Sequence, residues 1–155
     1  MFFKGFKPES RSVRPWYMEN PGRLLIEQQA MASRFPQFQL YNDDGQLYWI
    51  GKLETNRNNS YLIKVNYPDQ FPSKPPEVFP VDPVVIVDDP KGDLLHQYPD
   101  GKLCLYYPGD RTFPSSATAA TVVAVAAAWF FCYETWLESG KQDWPGAQME
   151  HQIRL

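Results

Sequence analysis

Cysteine and histidine are scarce in this chain. Two of each in 155 residues, Cys104 and Cys132 with His96 and His151, are too few for a disulfide scaffold and add little toward a four-ligand zinc site, so no metal and no cofactor is expected. Long basic runs are missing too. No stretch of lysine and arginine exceeds two residues, and 15 basic against 18 acidic residues leave a formal charge of −3, so nothing is arranged to neutralise phosphates and no nucleic-acid partner is expected. The opening MFFKGFKPES lacks the charged, apolar and small-residue order of a signal peptide, which points to a reduced, cytoplasmic protein. The continuous apolar run from Val122 to Tyr133 falls short of the roughly 20 residues that cross a bilayer. A helix buried on all sides is expected there instead of a membrane span.

What the chain does have is ordinary bulk and many aromatics. Its length is near the commonest domain size, which predicts a single domain over 1–155, and aromatics at 15% supply large side chains for one dense core. Residues 1–19 mix Pro, Gly, Arg and aromatics without a period and read as an irregular arm. Asn20-Pro21 then looks like an N-cap with proline in the first turn, and Leu24, Leu25, Met31, Ala32 and Phe35 recur at helical spacing until Pro36 stops the element. The period changes after Phe38. Phe38 and Leu40 alternate before the turn Asn42-Asp43-Asp44-Gly45. Leu47 to Leu53 is aromatic and branched, and Tyr61, Ile63, Val65 and Tyr67 alternate with Leu62, Lys64 and Asn66. Three antiparallel strands are predicted, followed by a proline-rich exit and a fourth short strand over Glu77 to Val81. The fold class is α+β, with a helix from about Ser116 or Thr118 to Leu137 and an irregular tail over 139–155.

Asp88 to Leu103 is dominated by turn formers, among them Asp89-Pro90, Lys91-Gly92 and Pro99-Asp100-Gly101, and it delivers the chain to Leu103-Cys104-Leu105. A loop of this kind carries function more often than a regular element does. Two readings of Cys104 stand side by side: a reactive thiolate, or a small buried hydrophobe between two leucines.

The segment Tyr67-Pro68-x-x-Phe71-Pro72-x-Lys74-Pro75-Pro76-x-Val78, followed by a histidine, a loop and Gly101-Lys102-Leu103-Cys104-Leu105, resembles the core of the ubiquitin-conjugating enzyme superfamily. The helix, the meander and the later helix occur in that superfamily's order over roughly residues 20 to 138. The alanine-rich helix and Trp144-Pro145-Gly146 look closer to bacterial members, found in antiphage operons of the CBASS or ubiquitin-like conjugation type. The resemblance implies a conjugating-enzyme-like fold and an acyl relay. Cys104 takes the C-terminal acyl group of a ubiquitin-like protein or a cGAS-like nucleotidyltransferase from an activating enzyme or other activated donor, and an amine then attacks the thioester. A thiolate suits that work because it is nucleophilic near neutral pH without a dedicated base.

The assisting residues depart from the superfamily's pattern. Its usual His-Pro-Asn tripeptide is replaced by His96-Gln97-Tyr98-Pro99, with no asparagine to serve the oxyanion. Either His96 or the Gln97 amide offers a substitute donor, or His96 packs within the loop. Asp110, six residues after Cys104, is the acid best placed by sequence to assist the attacking amine, with a solvated turn residue as its bland reading. His151 is a weaker candidate in the tail. Cys132, Trp129, Phe130 and Trp136 read as core, and Pro68, Pro72, Pro75 and Pro76 as torsional locks under the later loops. Two further classes remain open: a peptide- or ubiquitin-binding variant of the fold that has lost catalysis, and a cysteine hydrolase pairing Cys104 with His96 or His151.

Overall fold

The computed structural model describes residues 14–87, 96–105 and 113–145. Two helices open them, α1 (Trp16–Glu19) and α2 (Pro21–Arg34); strands β1 (Gln39–Asp43), β2 (Gln46–Glu54), β3 (Ser60–Asn66) and β4 (Glu77–Asp82) follow, and α3 (Ala119–Glu138) comes last. The strands form one antiparallel meander in the order β1-β2-β3-β4. The architecture is α+β. Register follows the alternation in the sequence: Trp49 faces Val65, Gly51 faces Ile63 and Leu53 faces Tyr61, so one face of β2 and β3 is buried throughout. The hairpin from β1 to β2 turns at Asp44 and Gly45, both at positive φ, with the Asn42 side chain accepting from Gly45 N at 2.8 Å.

Asn20 caps α2 as its position suggests, accepting from Arg23 N at 3.2 Å with Pro21 behind it. The apolar face, however, is narrower than predicted. Leu25 and Ala32 are exposed, because each lies about 100° round the helix from an inward neighbour, Leu24 or Met31. The residue buried between those two is Glu27, 0% exposed. Its Oε1 accepts from Tyr67 OH and from Ala119 N, both at 2.8 Å, and its Oε2 pairs with Arg23 Nε at 3.1 Å. Ala119 is the first residue of α3, whose N-cap Thr118 makes no side-chain cap bond. Glu27 caps that helix from a distance, placing negative charge on its N-terminal amides.

The arm is not irregular to residue 19. Trp16 sits on Phe71 and Tyr67, with ring centroids 4.7 and 5.0 Å apart, and that anchorage holds the single turn of α1. Phe71 belongs to the proline-rich exit from β3, and it is buried under the Arg23 guanidinium as well.

α3 backs the buried face of the sheet, with Phe130 stacked on Tyr61 at 4.3 Å. It is not buried on all sides. Ala127, Ala128, Phe131 and Leu137 are exposed, and Cys132 is half-buried at the edge of the core, because one helix against one sheet covers a single face. The twelve-residue run is also extended at both ends. The helix has 20 residues, and its most apolar 18-residue stretch has a mean hydropathy of 1.4, long and apolar enough by length and composition to cross a bilayer. Its C-terminal half carries a buried carboxylate nonetheless. Glu134, 3% exposed, accepts from Tyr61 OH (2.9 Å), Asn59 Nδ2 (2.8 Å) and Thr55 Oγ1 (3.2 Å), with Arg57 at 3.7 Å. Acids from α2 and of α3 itself thus pin the helix near both ends to the elements around it.

Candidate functional site

Cys104 lies on a small hairpin hung from the edge of the sheet. Residues 96–98 run antiparallel to 102–104: Cys104 N donates to His96 O at 2.9 Å, Tyr98 N donates to Lys102 O at 2.8 Å, and Gln97 pairs with Leu103. Tyr98-Pro99-Asp100-Gly101 makes the turn, closed by Gly101 N to Tyr98 O at 2.9 Å. Proline holds the second place, and Gly101, at φ +96°, supplies a conformation that side chains resist. Leu103 N donates to Val78 O of β4 at 2.8 Å, which fixes the hairpin to the strand following the proline motif.

The Gln97 side chain completes this attachment. Its Oε1 accepts from Val87 N, and its Nε2 donates to Val85 O and to Gly101 O, at 2.8, 2.8 and 3.0 Å. Both amide hydrogens are therefore spent inside the scaffold. Gln97 is a clamp in this structure, with both amide hydrogens directed at backbone carbonyls.

His96 is 6% exposed and its ring stacks on Trp144, with centroids 3.9 Å apart and planes 9° apart. Its carbonyl accepts from Cys104 N and also from Trp129 Nε1 of α3 at 2.9 Å. Trp144 packs in turn on Trp129 and Trp136. The tail, the hairpin and the central helix thus meet in one aromatic layer with His96 inside it.

The Tyr98 hydroxyl lies 3.9 Å from Cys104 Sγ. An open groove of about 180 Å³ runs beside them, lined by Lys74, Pro75, Pro76, Glu77, Val78, Tyr98, Lys102, Leu103 and Leu105. It touches the residues on both sides of Cys104 and joins the proline motif to the cysteine loop. Cys104 itself is 4% exposed. Lys102 bridges the rim, pairing with Glu77 at 3.3 Å while its ammonium stands 4.9 Å from the centre of the Tyr98 ring. Asp110 and His151 lie outside the described residues.

With this geometry in place, a family model described as type II CBASS E2 protein matches residues 27–152. That match takes in the meander, the proline motif, the hairpin and the central helix. The chain belongs to the type II CBASS E2 family. No curated protein and no solved structure matches it.

Family membership makes the chain an E2-like protein of CBASS antiphage defence, and of the two operon types that the sequence suggests it selects CBASS. Three residues that shape this CBASS E2 and its candidate site escape sequence reasoning. Glu27 hides as one polar residue on an apolar helix face. Tyr98 reads only as part of a turn. Trp144 reads as a tail signature, and its contact with His96 spans 48 positions.

Proposed function

We propose that this CBASS E2 is an acyl carrier that forms a thioester at Cys104 and passes the acyl group to an amine. The observation that carries the reading is the placement of Cys104, on a turn-closed hairpin whose neighbouring residues Leu103 and Leu105 line a groove shared with the proline motif, with a phenol hydroxyl 3.9 Å from its sulfur. Within a type II CBASS setting, the C-terminus of a cGAS-like nucleotidyltransferase is the acyl group of choice, delivered by an E1-like activating enzyme; a ubiquitin-like protein is the other donor the reading allows. The Cys104 thiolate attacks the activated carbonyl carbon, the C–S bond forms, and the activating enzyme's own leaving group departs with the electron pair. An amine then attacks the thioester, sheds its proton to an acid or to water, and expels the Cys104 thiolate as the amide forms. His96 holds the hairpin against α3, Gln97 holds it to the sheet, and Asp110 is assigned to the incoming amine from its sequence position.

The burial of Cys104 favours the second reading, a peptide-binding relative with an inert thiol. One experiment separates the two. Purified protein mixed with its E1-like partner, ATP and the nucleotidyltransferase is expected to form an adduct that reductant cleaves, absent in Cys104→Ala and kept in Cys132→Ala. Cys104→Lys is expected to trap the same partner through a stable amide. An adduct that survives in Cys104→Ala removes the assignment, and no adduct in the wild-type protein leaves the binding reading.

A further inference from the structure

We infer that Tyr98 is a catalytic residue of this relay, its hydroxyl donating a hydrogen bond to the negative charge that gathers on Cys104 Sγ. The inference rests on the acyl-carrier reading and names the group that assists it. With no asparagine in 96–99, the Gln97 amide spent on Val85, Val87 and Gly101, and the His96 ring stacked on Trp144, the hairpin brings the Tyr98 oxygen to the sulfur at 3.9 Å. At rest the neutral thiol donates to the Tyr98 oxygen at that outer reach, and once the sulfur is charged only the phenol has a proton to give, so the bond reverses. A full charge on sulfur shortens and strengthens such a bond, and resting enzymes commonly hold their catalytic hydrogen bonds long.

Three features hold the phenol ready. The Tyr98–Gly101 turn and the Tyr98 N to Lys102 O bond set its backbone. The Lys102 ammonium over its ring draws electron density from the phenol, which makes the hydroxyl a better donor, and Glu77 keeps that ammonium in place. Cys104 is itself buried, so a directed donor at its sulfur counts for more than in water.

The two half-reactions feel this donor differently. In discharge Cys104 leaves as a thiolate, so stabilising charge on sulfur lowers the barrier directly. In charging, the donor makes thiolate more plentiful but less nucleophilic, and the two effects offset each other. No proton changes hands between Tyr98 and Cys104 in either step.

The test is pre-steady-state kinetics on the full chain with its E1-like partner and nucleotidyltransferase, reading charging and discharge to a small primary amine separately. Tyr98→Phe keeps the ring under Lys102 and removes only the hydroxyl. It is expected to slow discharge by roughly ten- to a hundredfold, the loss that follows removal of a hydrogen bond to a charged group, while charging changes by less than about threefold. Replacement of Tyr98 by 3-fluorotyrosine, a stronger donor of nearly the same shape, is expected to discharge faster than wild type at pH 7, and it tests the idea even if Tyr98→Phe folds poorly. Unchanged discharge in Tyr98→Phe, equal losses in both half-reactions, or no acceleration by fluorotyrosine overturns the role of Tyr98 and leaves the acyl-carrier reading standing. A wild-type chain that forms no adduct at Cys104 overturns both.

Discussion

A single added methyl group at Gly51 would have no room. The Cβ of any other residue there would be driven into the ring of Phe38, which closes the core beneath β2. Gly51→Ala is expected to lower stability by about 1–3 kcal/mol, the usual cost of overpacking, read as a shift in the urea midpoint at constant slope. His96 invites a sharper test. If its ring serves to pack on Trp144, His96→Phe keeps the stack and should discharge thioester at nearly the wild-type rate, while His96→Ala is expected to lose about 1–3 kcal/mol of stability. A tenfold slower discharge in a stably folded His96→Phe would return the ring nitrogens to the chemistry. At this scale the cysteine, its turn and the missing asparagine are all legible in the sequence, because they are local. That the Gln97 amide is spent is not legible, since its three partners lie at residues 85, 87 and 101 and only the folded hairpin gathers them.

Elements were easier to read than their faces. The cap at Asn20, the stop at Pro36 and the alternation in β3 depend on neighbours in the chain, so they mark α2 and the meander closely. The inward side of α2 depends on what it meets, and what it meets is the N-terminus of α3. Glu27 occupies an apolar-looking position because unpaired helix amides, the Tyr67 hydroxyl and Arg23 surround it. Taking the charge away should therefore be costly. Glu27→Ala leaves Arg23 without its buried partner and α3 without its cap, and is expected to cost about 3–5 kcal/mol. Glu54→Gln, on an exposed strand position, should change stability by less than about 0.5 kcal/mol in the same urea titration. Equal effects from the two substitutions would show that Glu27 does not anchor α3.

For the molecule as a whole, the two buried acids put phenols in an unusual position. Burial, and next to it the Glu27 carboxylate, pushes the Tyr67 phenol well above its ordinary value of 10.0; burial and then Glu134 do the same to Tyr61, and burial raises Tyr133. A phenolate formed at either of the first two sites would face a carboxylate inside the core. The folded protein therefore holds these protons after the unfolded chain has released them. Stability from this source is fully present below about pH 10, where both states are protonated, and falls as pH rises further, because the unfolded state then binds fewer protons. Urea midpoints are expected to drop steeply above about pH 10. Lysines titrate in the same range, so the informative quantity is the difference in slope between variants. Tyr67→Phe gives up the bonds to Glu27 and Trp49 and starts less stable at pH 7, yet its midpoint should fall less steeply with alkali than that of the wild type. Tyr61→Phe should flatten the curve in the same way through its own carboxylate, Glu134. Parallel curves for all three proteins would mean that the phenols are not the groups that fail first. The same titration bears on the site, since α3 carries Trp129 to the His96 carbonyl and so supports the Cys104 hairpin. If the acids and phenols hold that helix in place, discharge of a preformed Cys104 adduct should fail over the same pH range as the fold, and in the same order among the variants.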